Sequence, residues 1–163
     1  MRWPLFWTLT LTAWALQVTL AGRAGAAGIP VDFLAAAAVA AAIAAPDLRA
    51  AFLAGWSAGI LRDLSGVGPP GLCSLWLPAA ALALRAATEW LDARAFGVRL
   101  LLAAGGSLTV LALEGAILYV TVGALDVLPT AASAAAAAPA TAALVIAVLA
   151  VADRAGALAP MAR

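Results

Sequence analysis

The sequence contains no lysine and no histidine; all nine of its cations are arginine. Without lysine there is no Schiff-base amine and no P-loop cation. Without histidine the commonest general base and metal ligand is missing. Cys73 is the only cysteine, which excludes an intrachain disulfide. It lies within an apolar run, where a small buried hydrophobe is the expected role. Charge is scarce as well: 10% of the 163 residues are charged, whereas a soluble domain carries roughly a quarter. A net charge of +1 leaves no basic field for nucleic acid. Side-chain chemistry is confined to Asp, Glu, Ser, Thr, Arg and Tyr119, and neither a metal nor a cofactor is expected.

What the chain has in abundance is apolar surface. Hydrophobic residues make up 66% of it and its mean hydropathy is +1.08. So few charges cannot cover a water-facing surface, so an integral membrane protein is expected. Much of the apolar count is alanine, so the Ala-rich spans must lean on Leu, Val, Ile and Trp or on neighbouring helices.

Six apolar segments can be drawn, at 3–21, about 29–45, 48–64, 72–84, 98–122 and about 128–152. A perpendicular span needs roughly 20 apolar residues. The first, fifth and sixth meet that; the second and third sit at the lower edge and the fourth falls below it. Short spans imply a locally thin bilayer or helices held by their neighbours. The expected fold class is therefore all-α: one domain over 1–163, a polytopic membrane helical bundle of about six short transmembrane helices. With six spans and the N-terminus inside, Arg2, Arg49, Arg85, Arg94, Arg99, Arg154 and Arg163 fall on the cytoplasmic side. Only Arg23 and Arg62 fall outside, so both termini are expected in the cytoplasm. The loop "RAATEWLDARAFGVR" has helical spacing and suits either an interfacial helix or a solvated connector. Residues 1–27 resemble a signal peptide in outline, but three tryptophans and Gln17 within them favour a retained first helix. Pro139, inside the low-complexity run "AASAAAAAPATAA", predicts a kink.

Several polar and small residues interrupt the apolar pattern. Ala51, Gly55 and Gly59 recur every four residues and line one helix face, a small-xxx-small stripe that lets another backbone approach closely. The approaching helix belongs either to this chain or to a partner. Arg62 and Asp63 follow at the end of that segment, and Ser65, Gly66, Gly68, Pro69, Pro70 and Gly71 form a stiff turn. Arg62 can neutralise the helix C-terminus and Asp63 can accept backbone N–H bonds in the turn; a docking role is the alternative. Ser107, Glu114 and Thr121, seven apart, share a face of the fifth segment. A carboxyl there must point inward, pair with Arg62 or another cation, or be protonated. It is either a hydrogen-bond anchor, a proton or substrate site, or a partner contact. Asp63 and Glu114 make a poor acid pair for catalysis. The Gly-x-Gly-Asp pattern of intramembrane aspartyl proteases and the Gly-x-Ser-x-Gly serine elbow are both absent.

The stretch "VDFLAAAAVAAAIAAPDLRAAFLAGWSAGILRDLSGVGPPGLCSLWL" resembles MreD, the rod-shape-determining membrane protein family of bacteria. The resemblance rests on an apolar span, a short charged break and a Gly-rich span ending in an acid, a serine and a glycine. Here these are Gly55, Gly59, Asp63-Leu64-Ser65 and Gly71. It covers residues 29 to 84; the rest is similar in hydropathy only. Arg62, the doubled proline and the alanine content depart from the pattern and point to a divergent member. The resemblance implies a non-catalytic scaffold of the cell-wall elongation complex in the bacterial inner membrane. Its implied partner is an MreC-like single-pass protein, with MreB, RodA and a class B penicillin-binding protein as indirect partners. It also implies an architecture similar to the S-components of vitamin transporters. A ligand-binding transport subunit is therefore the alternative function, with Trp76 and Tyr119 as the best candidates to hold a ligand.

Overall fold

The computed structural model describes residues 3–26, 32–65, 70–91, 95–122 and 127–154. The side chains of 20–26, 118, 121–122 and 127–135 lie outside that description. Among the described residues the chain is all-α, six helices and no strand: α1 (Trp3–Ala26), α2 (Phe33–Ala44), α3 (Leu48–Leu64), α4 (Leu72–Trp90), α5 (Phe96–Val122) and α6 (Val127–Arg154). Among the described residues two segments, Phe96–Ile117 and Ala136–Arg154, are long and apolar enough to cross a membrane.

The short helix α2 sits at the centre. It packs against all five other helices, and every residue from Leu34 to Ile43 is buried. A helix buried on all sides has no amphipathic stripe, and its sequence, FLAAAAVAAAIA, shows none. Alanine is what such a position requires: five neighbours can approach one helix closely only if its side chains are small. At 12 residues, its length is about 18 Å. Asp32 starts it, its carboxylate accepting from the Ala35 N–H at 2.8 Å, and Asp47 starts α3 in the same way from Ala50 at 2.6 Å. Each satisfies a backbone donor that a helix start leaves open.

The other helices form a ring around α2. α1 meets α3, α3 meets α4, α4 meets α5 and α5 meets α6; among the described residues the backbones of α6 and α1 do not come close, and a cleft lined by both lies between them. The tightest contact is the α3–α4 hairpin. A Cβ on Gly59 would lie 2.5 Å from the Cys73 carbonyl oxygen and 2.7 Å from the Ser74 Cα. One on Gly55 would lie 2.9 Å from the Leu77 oxygen and from the Pro78 Cα. These glycines therefore bring two backbones together.

Segment boundaries differ from the sequence expectation at several ends: α1 runs to Ala26 where 21 was expected, α2 covers Phe33–Ala44 within the expected 29–45, and the largest change lies between α4 and α5. The connector drawn from 85 onward is no separate interfacial helix: α4 continues to Trp90 and α5 begins at Phe96. The continuous α-propensity of "LALRAATEW" extends α4, and Arg85 is held along it by Thr88 at 2.6 Å and the Pro46 carbonyl at 3.1 Å. α6 runs through Pro139 without a break.

Candidate functional site

The polar residues of the apolar segments converge at one end of the bundle. α2 begins there, α3 ends there and α4 begins there, so three helix termini meet. Arg62, in the last turn of α3, is 6% exposed. Its Nη2 donates to both carboxylate oxygens of Glu114 on α5, each at 2.5 Å, and its Nε donates to Oε1 at 3.2 Å. On the other side its Nη1 forms an ion pair with the carboxylate of Asp32, which also caps α2. One guanidinium thus ties α2, α3 and α5 together. The forked planar shape of arginine suits this task, since its donors reach two carboxylates at once. Partners on both sides make burial of the cation tolerable.

Asp63, next in the chain, points the other way. Its two oxygens accept from the Cys73 and Ser74 N–H groups, each at 3.0 Å. Asp63 therefore caps α4 from the preceding helix. The cap residue itself is Gly71, at φ +87, a left-handed conformation that costs a residue without Cβ least, and no side-chain cap comes from it. Asp32 and Asp63 lie beside the N-termini of α2 and α4, and Arg62 lies at the C-terminus of α3, so these contacts also meet favourable ends of helix dipoles.

α1 joins this knot through two neutral contacts. The Trp14 indole N–H donates to the Ser65 hydroxyl at 3.1 Å, and that hydroxyl donates to the Leu61 carbonyl at 2.9 Å. Gln17 accepts from the Phe33 N–H at 2.8 Å.

The structure brings together Arg62, Asp63, Ser65 and Glu114, which the sequence shows as a helix end, a turn and an inward face of a separate helix. Pairing of Glu114 with Arg62, one of three options for that carboxyl, is the arrangement found. Ala51, Gly55 and Gly59 are buried between α3 and α4 or α2. They serve packing within this chain and present no surface to a partner, because α4 already occupies the glycine face. Gly71 is exposed, with open space around it. Ser107 is fully buried and its hydroxyl has no hydrogen-bond partner. The Thr121 side chain, Gly66, Gly68, Pro69 and the arginines 2, 23, 94 and 163 lie outside the described residues or side chains. Trp76 is buried on α4, while Tyr119 is half-exposed on α5; Trp76 lines a cleft that does not include Tyr119.

Three members of the site went unrecognised in the sequence. Asp32 carried a signal, an acid immediately before an apolar run, but 30 residues separate it from Arg62. Gln17 stood out as unusual, without a partner to assign. Trp14 gave no signal apart from its type. Among the described residues no group of three or more acids, cysteines or histidines could hold a metal ion. No family model, characterised protein or solved structure matches the chain.

Proposed function

We propose that the chain is a polytopic protein of the bacterial inner membrane with a non-catalytic scaffolding role in cell-wall elongation, its partner an MreC-like single-pass protein. The observation that carries the membrane reading is the inverted distribution of polarity. Large apolar side chains cover the outside: Leu75 is 76% exposed, Leu101 73% and Val120 79%, while Arg62 and Asp32 are each 6% exposed. In water that surface would be a liability far beyond a scattered apolar residue. In lipid it is the expected exterior, and interior charges are tolerated because they are paired.

The scaffolding reading is supported by how the polar groups are used. Arg62, Asp32, Asp63, Glu114 and Ser65 are each committed to a bond that fixes one helix against another. A catalytic acid or base needs an exchangeable proton next to a reacting group; these groups face each other and helix ends. The residues that carry the family resemblance, Gly55, Gly59, Asp63 and Ser65, all shape the α3–α4 hairpin and its junction with α1. The knot then lies toward the outer face by the arginine bias, with the Arg99–Asp153 ion pair, 2.5 Å, toward the cytoplasm.

On this reading the partner's helix would lie on the exposed part of α3. The glycine face of α3 is filled, while the flank beside it displays Leu48, Phe52 and Trp56 at four-residue spacing, each more than 40% exposed. The test is co-purification with the MreC-like protein of the same genome after gentle solubilisation. A complex that survives in the wild type and is lost in Phe52→Ala/Trp56→Ala, with insertion unchanged, is the expected result. Absence of any complex with the wild type would refute the scaffolding reading.

A further inference from the structure

The apolar belt of the bundle is much shorter on one side than on the other. On α3 it is bounded by Asp47, which caps the helix, and Asp63 in its last turn. At about 1.5 Å per residue these lie roughly 24 Å apart along the axis. On α4 the bounds are Cys73, whose N–H is held by the Asp63 carboxylate, and Arg85; they lie roughly 18 Å apart. Leu48, Phe52, Trp56 and Leu75 are exposed on this side. On α5 the one charge between Arg99 and the helix end at Val122 is Glu114, which turns inward to Arg62. That stretch is roughly 35 Å long. α6 carries no charge from Val127 until Asp153, roughly 39 Å. A hydrocarbon core is about 30 Å thick. α5 and α6 exceed it, while α3 and α4 fall short by about 6–12 Å, and any tilt increases the shortfall.

A short span meets a thicker core by stretching its flanking side chains to the interface, by oligomerising, or by thinning the bilayer. Here the flanking groups are tied down. Arg62 is buried between Asp32 and Glu114. Asp63 is bound to the Cys73 and Ser74 N–H groups, and Asp47 to the Ala50 N–H. Arg85 is held by Thr88 and by the Pro46 carbonyl. None of these can reach outward without breaking its bond. Nor can the end near α2 and α3 sit in hydrocarbon, since Asp47, Arg49 and Glu89 are exposed there and a charge facing lipid is costly. For the chain without a partner, thinning is the route that is left.

We propose that the chain thins the bilayer where lipid meets α3 and α4 and leaves it at ordinary thickness along α5 and α6. The proposal rests on the membrane reading above and adds to it how that surface treats lipid: acyl chains are compressed along one hairpin only. Mismatch of this kind favours helix association, so a partner's helix on the α3 flank would take the place of compressed lipid.

The experiment measures depth at both ends of two helices. Cys73 is the sole cysteine and is buried, so Cys73→Ala provides a background for single nitroxide labels. The labels go on Leu48→Cys and Leu64→Cys for α3, and on Leu101→Cys and Val120→Cys for α5, all exposed positions. Each protein, without a partner, is reconstituted into vesicles of dimyristoleoyl, dioleoyl or dierucoyl phosphatidylcholine, a series of rising thickness. Failure of the Cys73→Ala parent to float with all three vesicles after an alkaline carbonate wash would overturn the membrane reading, and the thinning with it. For protein that floats, label depth is read from relative exposure to oxygen and to a water-soluble nickel chelate. Adding the two depths on one helix cancels any shift of the bundle across the membrane. The summed depth along α5 is expected to grow from the thinnest vesicle to the thickest, and that along α3 to grow less than half as much. Growth along α3 of half or more of that along α5 marks a flat bilayer and overturns the proposal alone. No growth along either helix marks thinning all round the bundle and overturns it too.

Discussion

Replacing Gly59 by alanine should unfold the α3–α4 hairpin far more readily than one added methyl group suggests. The new Cβ would sit 2.5 Å from the Cys73 oxygen, 2.7 Å from the Ser74 Cα and 2.8 Å from the Cys73 carbonyl carbon. Comfortable carbon contacts lie at about 3.5–4.0 Å, so the helices must separate by roughly 1 Å. All three atoms belong to backbone, which cannot swing aside as a side chain can. Overpacking of this kind costs about 1–3 kcal/mol. The same separation pulls Cys73 and Ser74 away from Asp63, whose two bonds at 3.0 Å start α4; a hydrogen bond to a charged group contributes about 1.5–3 kcal/mol. Against this, alanine gains up to about 1 kcal/mol over glycine in helix propensity. The net loss should be about 2 kcal/mol. The control is Gly105→Ala, where the added Cβ meets nothing within 4 Å and only the propensity gain remains. The assay is thermal unfolding of both variants in the same detergent, followed by loss of helicity. The expected order is Gly105→Ala at or above wild type, and Gly59→Ala lower by roughly 4–8 °C, at about 2–4 °C per kcal/mol. A Gly59→Ala protein as stable as wild type would refute the close backbone approach.

Two further predictions concern the ionic knot. Arg62→Leu leaves Asp32 and Glu114 buried without their shared cation, and should cost about 3–5 kcal/mol. The triple change Arg62→Leu/Asp32→Asn/Glu114→Leu, which removes all three charges, should recover part of that loss in the same unfolding assay. Asp63→Ala should cost about 1–2 kcal/mol through the lost cap on α4. Hydrogen exchange should show it as faster opening confined to the first turn of α4, around Cys73 and Ser74.

Much of the site was legible from local pattern, because its causes are local. Glycines four apart lie on one helix face whatever surrounds the helix, so the close packing at Gly55 and Gly59 could be expected. An acid at the end of a helix followed by a tight turn is placed to accept N–H groups, as Asp63 does. Glu114, inside an apolar helix, required an inward face, a cation or a proton, and Arg62 was named among the cations available. Which helix the glycines would meet was a separate matter, since any small-residue face could have served a partner as well as α4.

Composition and periodicity alone determined that this chain is helical, roughly where its helices fall, and that a carboxyl inside an apolar helix must face inward, meet a cation or hold a proton. Each of these follows from the cost of leaving backbone or side-chain polar groups unbonded in apolar surroundings. Only the tertiary structure decided that α2 occupies the centre, that Asp32 supplies the second carboxylate of Arg62, and that α4 and α5 leave a cleft between them. An alanine run carries no stripe to show whether it faces lipid or five other helices. Two charges 30 residues apart carry no mark of their pairing. A cleft belongs to no residue, because it is the space that Gly105 and the α4 alanines leave when other contacts hold their helices in place.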